Sequence, residues 1–396
     1  MKNSIKKILS VLIIMAVITP NAVHADQNDI DKFSKASIII DQDSGRVLYE
    51  KNADEKLPLA SLTKMMTFLL AIEAIENGEV KESDVVTIDK ATASIKGSTY
   101  KLKAGEKIPL IELMRGLMIV SGNDAASAIA KHISKTQEKF VNNMNEKAKE
   151  LGMKNTHFLN VNGLPIYDLQ NPKTPAKENK SSARDIAILG KYMYDKYEKQ
   201  VTAITDMETY TYKERNFEKS NTNALLQMIP EVDGIKTGYT GNAGYCLSFS
   251  MIVNKDQNND KKRRVIGVTL GANHKNKRIS AATAMLNYGK DHVKVKKVID
   301  KDNIVGKKYI KGINDLEVVM KTRDEFFAVI KDDEKLKSSV EVKDIEYPVK
   351  KGDKLGVIKY TNSSGDLIGS VDVISANNVN NISFFDKIKL IMADWK

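Results

Sequence analysis

The chain has 396 residues and is poor in several residue types that other proteins depend on. Each shortage removes a class of answer. One cysteine, Cys246, excludes an internal disulfide framework and any multi-cysteine zinc or iron–sulfur site. It lies in an apolar, strand-like run, where a small buried hydrophobe is expected rather than a nucleophile. Eight prolines and 22 glycines exclude a collagen-like or low-complexity chain. Beyond residue 25 only His132, His157, His274 and His292 remain, none within metal-ligand spacing of another, so surface or hydrogen-bonded roles are expected and no metal or cofactor. There is no Gly-x-Ser-x-Gly elbow, no phosphate-binding loop and no nucleic-acid signature. What the chain does have is apolar side chain. At 42% hydrophobic it can bury a sizeable core, and its length suits two or three domains.

Basic residues outnumber acidic ones by 62 to 51, a formal charge of +11. The first 25 residues read as a secretory signal peptide: Lys2, Lys6 and Lys7, an eleven-residue apolar run over residues 8–18, then Val23-His24-Ala25. The run is short for a bilayer span of about 20 residues. Export makes nucleic acid an unsuitable partner for the scattered lysines; an anionic lipid surface or a cell-wall polymer suits them better.

Residues 37–41 and 47–50 read as a hairpin around Asp43-Ser44-Gly45. Residues 59–77 turn helical with almost no polar face, which predicts a helix in the middle of a domain. Further helices are expected over residues 109–120, from residue 123, and over 183–197, with a polar loop at 165–182. Residues 234–237, 245–253 and 265–272 read as strands, the last two joined by an exposed loop at 254–260. Strand, helices and strands in that order predict an α+β fold, an antiparallel sheet flanked by helices, over residues 26–293. Residues 294–378 alternate with lysines and recurrent turn signals, as a smaller all-β domain would. Residues 379–396 end the chain with Phe384, Phe385, Ile388, Ile391, Met392 and Trp395 on one helical face. That predicts an amphipathic helix lying in a membrane interface rather than crossing it.

The chemistry rests on a three-part pattern. Ser61-Leu62-Thr63-Lys64 opens the buried helix, with the hydroxyl and the amine one turn apart on the same face. The helix N-terminus favours the negative charge that develops when a hydroxyl loses its proton. Ser121-Gly122-Asn123 falls between two helices. Lys236-Thr237-Gly238 falls on a strand, where Gly238 lets another backbone approach closely. Ser-x-x-Lys alone means little, since Ser98-Thr99-Tyr100-Lys101 also matches. The three motifs in this order, each on its expected element, are specific, and they are the set that β-lactamases and penicillin-binding proteins carry.

Nearly the whole chain resembles the D-alanyl-D-alanine carboxypeptidases of the type-5 penicillin-binding group. Residues 118–126, Gly152-Met153-Lys154-Asn155-Thr156 and the stretch over residues 232–240 carry the resemblance. It implies a transpeptidase-like fold, a β-rich C-terminal domain and a membrane-anchor helix. It also implies that Ser61 is acylated, that Lys64 is its general base and that Ser121 relays protons while Asn123 holds the site. Lys236, Thr237 and Arg278 would grip a substrate carboxylate, and the N–H groups of Ser61 and Tyr239 would form an oxyanion hole. The implied partners are peptidoglycan pentapeptide stems, with β-lactams as inhibitors. Asn179-Lys180-Ser181-Ser182 departs from the family, which tends to carry histidine and tyrosine before the Ser or Thr. One physical requirement follows. At an ordinary pKa of about 10.4 only about one lysine in 2,500 is neutral at pH 7, so Lys64 must be perturbed by burial and by Lys236.

Two other readings use the same residues. A class A β-lactamase needs a glutamate to activate water, and the Glu-x-x-x-Asn from Glu138 to Asn142 reads as exposed helix. A non-catalytic antibiotic sensor or wall-binding protein would have no need of an intact Ser61, Lys64 and Lys236.

Overall fold

The computed structural model describes residues 30–253, 263–310, 313–331, 334–345, 348–380, 383–385 and 388. The expected signal peptide, the loop at 254–260 and most of the terminal helix, including Ile391, Met392 and Trp395, lie outside the described residues. In chain order the main elements of the first region are β1 (Ala36–Asp41), β2 (Val47–Lys51), α1 (Lys64–Glu76), α2 (Leu110–Met118), α3 (Asn123–Ser134), α4 (Gln137–Glu150) and α5 (Ala183–Thr205). They continue with β3 (Val232–Thr240), β4 (Gly244–Val253), β5 (Arg263–Ala272) and α6 (Lys275–Asp291).

The five strands form one sheet in the order β2-β1-β5-β4-β3, with every neighbour antiparallel. Successive side chains on a strand point to opposite faces, and the two faces are covered differently. Ile38, Ile40, Ile266 and Val268 face the core shared with α1 to α5, while Ile39, Phe249 and Val265 face α6. Phe249 lies across Gly267, where a side chain would meet its ring. Strand β3 ends the sheet, so its outer edge pairs with no other strand among the described residues.

Helix α1 is buried along most of its length, from Met65 to Ala74, as its lack of a polar face predicts. It does not begin where periodicity places it. Residues Ala60–Thr63 form a 3₁₀ turn that leads into α1 at Lys64, after Ala60 adopts a left-handed φ of 48°. Helix α5 runs eight residues beyond its expected end at 197. Tyr197 breaks the helical geometry, but Val201 and Ile204 are buried and carry the helix on to Thr205. A cluster around the buried Arg264, reaching the exposed Glu198, ties α5 to the sheet. The Arg264 guanidinium donates to Asp233, to Ser250 at 2.7 Å and to Glu198 at 2.6 Å, with its carbon 4.1 Å from the Tyr194 ring centroid.

The chain then becomes all strand, through β6 (Val293–Ile299), β7 (Ile304–Ile310), β8 (Ile313–Thr322), β9 (Phe326–Lys331), β10 (Lys337–Val342), β11 (Lys354–Thr361) and β12 (Leu367–Ser375). Strands β6 and β9 pair with each other, and the rest form a sheet in the order β7-β8-β12-β11-β10. This is the expected small all-β domain, with its own core around Val318, Ile358, Tyr360 and Val373. Arg46, in the β1–β2 turn, donates to the Val329 carbonyl and to Glu334 and so joins the two parts. Val379 still belongs to the β domain, paired with Val349. Beyond it Phe384 and Phe385 are 73% and 75% exposed. Among the described residues no helix is long and apolar enough to cross a membrane.

Candidate active site

The 3₁₀ turn explains the first contact of the site. In that geometry residues i and i+3 eclipse rather than splay, so Lys64 lies over Ser61, with its Nζ 2.8 Å from the serine Oγ. Two more contacts surround the amine, Asn123 Oδ1 at 2.8 Å and the Asn162 carbonyl at 2.7 Å. Both are acceptors only. Asn123 is oriented by its own amide N–H₂, which donates to the Lys96 carbonyl at 2.9 Å. A neutral amine has two protons and one lone pair. With both protons given to Asn123 and Asn162, the lone pair faces the Ser61 hydroxyl, the one partner able to donate.

The electrostatics point the same way. Lys64 is fully buried, and burial, followed by the charge of Lys236, pushes its pKa well below the ordinary lysine value; Asp124 opposes this weakly. Lys236, on β3, is buried as well and donates to the Thr237 carbonyl at 3.1 Å. Burial and the nearby Arg278 bring its pKa down to about 7. Arg278 projects from α6, donating to the Cys246 carbonyl at 3.3 Å, while its Nε makes no hydrogen bond among the described residues. Arg278 thus keeps unspent donor capacity beside the buried amine of Lys236.

Each motif is held by its surroundings. Gly238 is packed so closely on the nucleophile turn that a Cβ there would lie 3.0 Å from the Leu59 oxygen and 3.1 Å from the Ser61 nitrogen. Tyr239 follows it, 56% exposed, its ring 4.3 Å from that of Tyr245. Thr237 is buried and donates its hydroxyl to Thr222 at 2.7 Å. Ser121, in the turn between α2 and α3, is 5% exposed with a left-handed φ of 64°. Residues of the three motifs lie side by side, Asn123 on Lys64 and Gly238 against the turn of Ser61.

Several contributors carry no motif. Asp124 accepts the N–H groups of Tyr100 (2.7 Å), Ala125 (2.9 Å) and Leu102 (3.0 Å), locking the Ser121 turn to the segment that orients Asn123. The Asn162 carbonyl is set by an Asx turn in which Asn160 Oδ1 accepts from Asn162 N at 3.2 Å and Gly163 N at 2.7 Å. Asn160-Val161-Asn162-Gly163 is a turn signal, although nothing in it says that its carbonyl meets a lysine. Asn179, at the family departure, is buried and structural. Its side chain accepts from Leu159 N at 2.7 Å and donates to Thr63 Oγ1 at 2.9 Å, pinning the loop to the nucleophile turn.

The expected bystanders stay apart. Cys246 is buried, its thiol pushed up to about 11 by desolvation. His132 meets Asp84 at 3.3 Å, and His274 caps α6. Among the described residues no group of histidine, cysteine or acidic side chains could hold a metal.

A serine hydroxyl served by a lysine amine at the foot of a buried helix, facing the edge of an antiparallel sheet, defines a serine hydrolase of the transpeptidase-like class. Comparison with known proteins narrows this. The D-alanyl-D-alanine carboxypeptidase family matches residues 20–274, and the C-terminal domain of penicillin-binding protein 5 matches residues 294–381. The D-alanyl-D-alanine carboxypeptidase DacF of Bacillus subtilis is 34% identical over 98% of this chain and 99% of its own. DacA of Escherichia coli is 36% identical over 68% of this chain and 66% of its own. Among solved structures, penicillin-binding protein 5 of Haemophilus influenzae superposes with a TM-score of 0.73 at 28% identity, covering 88% of this chain and 98% of that one. An ampicillin-bound penicillin-binding protein D2 of Listeria monocytogenes gives 0.56 at 28% identity, covering 65% and 97%. The chain belongs to the D-alanyl-D-alanine carboxypeptidase family, as a serine peptidase of the type-5 low-molecular-mass penicillin-binding group.

Gly163, with a φ of +84°, tests how the site is held. A Cβ there would lie 1.9 Å from the Ala60 oxygen, just before the nucleophile. Gly163→Ala is expected to cost about 2 kcal/mol and lower Tm by roughly 5 °C. D-alanine release should fall further than thermal unfolding at the assay temperature accounts for. An unchanged melting curve with unchanged release would remove this contact from the account.

Proposed function

We propose that Ser61 is acylated in a two-step removal of the terminal D-alanine from peptidoglycan pentapeptide stems, carried out on the outer side of the cytoplasmic membrane. The observation that carries this reading is the Lys64 amine, 2.8 Å from the Ser61 hydroxyl with its other two contacts on acceptors. Lys64 takes the Ser61 proton as Oγ bonds to the carbonyl carbon of the penultimate D-alanine. Ser121 gives its proton to the leaving amine and takes up the one Lys64 has just received, so that Lys64 is neutral again when the peptide bond has broken and an ester remains on Ser61. Lys64 then takes a proton from water as the water oxygen bonds to the ester carbon, and passes it to Ser61 Oγ as the ester bond breaks. The N–H groups of Ser61 and Tyr239 hold the oxyanion, at about 3 kcal/mol per donor. Lys236, Thr237 and Arg278 bind the terminal carboxylate, and Asn123 keeps Lys64 in place. The peptide lies along the unpaired edge of β3, where Gly238 lets its backbone come close.

β-Lactams acylate the same serine and inhibit the enzyme. The likeness to an ampicillin-bound relative supports this. Among the described residues, neither of two candidate glutamates supports the β-lactamase alternative. Glu138 and Asn142 are exposed on α4. Glu178, which does approach the strand end beyond Tyr239, has both oxygens engaged, by Thr240 and by Asn242, each at 2.9 Å. The chain divides into an export segment (1–25), a catalytic domain (26–293), a β domain whose pairing runs one residue past its expected end at 378, to Val379, and an anchor over the residues that follow to 396. The exposed Phe384 and Phe385 support peripheral membrane attachment through the anchor's apolar face.

Three outcomes are expected. Ser61→Ala should reduce D-alanine release from a D-Ala-D-Ala-ended peptide at least about 10⁴-fold and abolish labelling by a fluorescent penicillin; continued release would overturn the assignment. kcat/KM for the same peptide should fall as pH rises through about 7, where Lys236 loses its proton and its attraction for the carboxylate. In Lys236→Arg that alkaline fall should vanish, because a guanidinium stays charged. Removing residues 382–396 should shift the protein from membrane to soluble fractions, and an unchanged distribution would refute the anchor.

A further inference from the structure

We infer that Thr222 is a positioning residue for carboxylate recognition: its hydroxyl sets the direction in which Thr237 presents its own. The inference deepens the reading above and rests on Thr237 being part of the carboxylate grip. Thr222 belongs to no motif, and it lies in the connection between α5 and β3. That connection is nevertheless fastened on both sides. Asn221 donates its amide to the Met207 carbonyl at 3.0 Å, and Asn223 donates to the Gly234 carbonyl on β3 at 2.9 Å. Between them, the Thr222 N–H donates to the Ile119 carbonyl at 3.2 Å, two residues before Ser121. Its Oγ1 stands 2.7 Å from Thr237 Oγ1. Thr222 thus bridges the turn that carries Ser121 and the strand that carries Lys236 and Thr237.

The chemistry of paired hydroxyls gives the bridge a purpose. Each hydroxyl is one donor and two acceptor sites, with a proton that rotates. In the free enzyme Thr237 donates to Thr222. When a carboxylate arrives it can only accept, so Thr237 must turn its proton toward the ligand. Thr222 then rotates its own proton back onto Thr237 Oγ1. The pair stays hydrogen-bonded in both states, and Thr237, polarised by the bond it receives, is a better donor to the anion. A valine at 222 keeps the shape but cannot make the return bond.

A double-mutant cycle with a diacetylated tripeptide ending in D-Ala-D-Ala tests this, using Thr222→Val, Thr237→Val, the double variant and Thr222→Ser, with Tm recorded for each. Thr222→Val should lower kcat/KM roughly tenfold through KM, beside a fall in Tm of a few degrees as Thr237 loses its acceptor in the free enzyme. Thr222→Ser should restore it, and the double variant should be no worse than Thr237→Val. If Thr237→Val is impaired while Thr222→Val matches wild type, or if the two losses multiply, the inference falls and the carboxylate grip survives. If Thr237→Val itself is unimpaired, the reading on which the inference rests falls with it. A loss in Thr222→Val that Thr222→Ser does not restore would mark a packing role and also overturn the inference.

Discussion

An amine sealed away from water and surrounded by oxygen is the constraint on which the rest of the molecule depends. Lys64 has three partners within 2.8 Å, of which only Ser61 can give a proton. Moving an ammonium into such a place is unfavourable by several kcal/mol, which favours the uncharged amine. The second buried cation, Lys236, makes the charged form less favourable still. In the proposed mechanism the reactivity of the serine is therefore a property of the core. A flexible lysine at the surface could reach the same hydroxyl and would stay protonated.

Much of the catalytic domain serves to hold that amine's neighbours still. The helical part supplies Asn123, fastened through Asp124 to residues 100–102. The loop after α4 supplies the Asn162 carbonyl through a turn closed by Asn160. Asn179 stitches that loop to Thr63. The sheet brings Gly238 to within van der Waals distance of the nucleophile turn. These are mostly asparagine and backbone contacts, which are short, neutral and directional. More charged groups would have raised or lowered the lysine pKa uncontrollably, whereas amides fix geometry at little electrostatic cost.

What could be read from the sequence follows from how each feature is encoded. The buried character of α1 is legible because nearly every residue from Met65 to Ala74 is apolar or small. The sheet strands and the lysine-rich β domain are legible from alternation. Ser61, Lys64, Asn123, Lys236 and Thr237 are legible because they sit at fixed spacing. The 3₁₀ entry at Ala60–Thr63 is not, since it follows a left-handed Ala60 whose carbonyl packs on Gly163, about 100 residues away in sequence. The Asn162 contribution is a carbonyl, identical in every residue, so side-chain identity cannot announce it. Asn179 reads as a departure from the family and acts as a structural pin. Helix α5 outruns its pattern because tertiary burial of Val201 and Ile204 outweighs the break at Tyr197.

The two interior lysines also leave a mark on the whole fold's response to acid and base. An unfolded chain would hold a proton on each up to about pH 10.4, whereas the native protein gives up the one on Lys236 near 7. Across that interval the denatured state binds more protons than the native one, so raising the pH favours folding. Carboxylates paired in the native state give the same slope, but several units lower and exhausted before neutrality. This protein thus continues to gain resistance to unfolding in mildly alkaline surroundings, after its acidic groups have ceased to contribute.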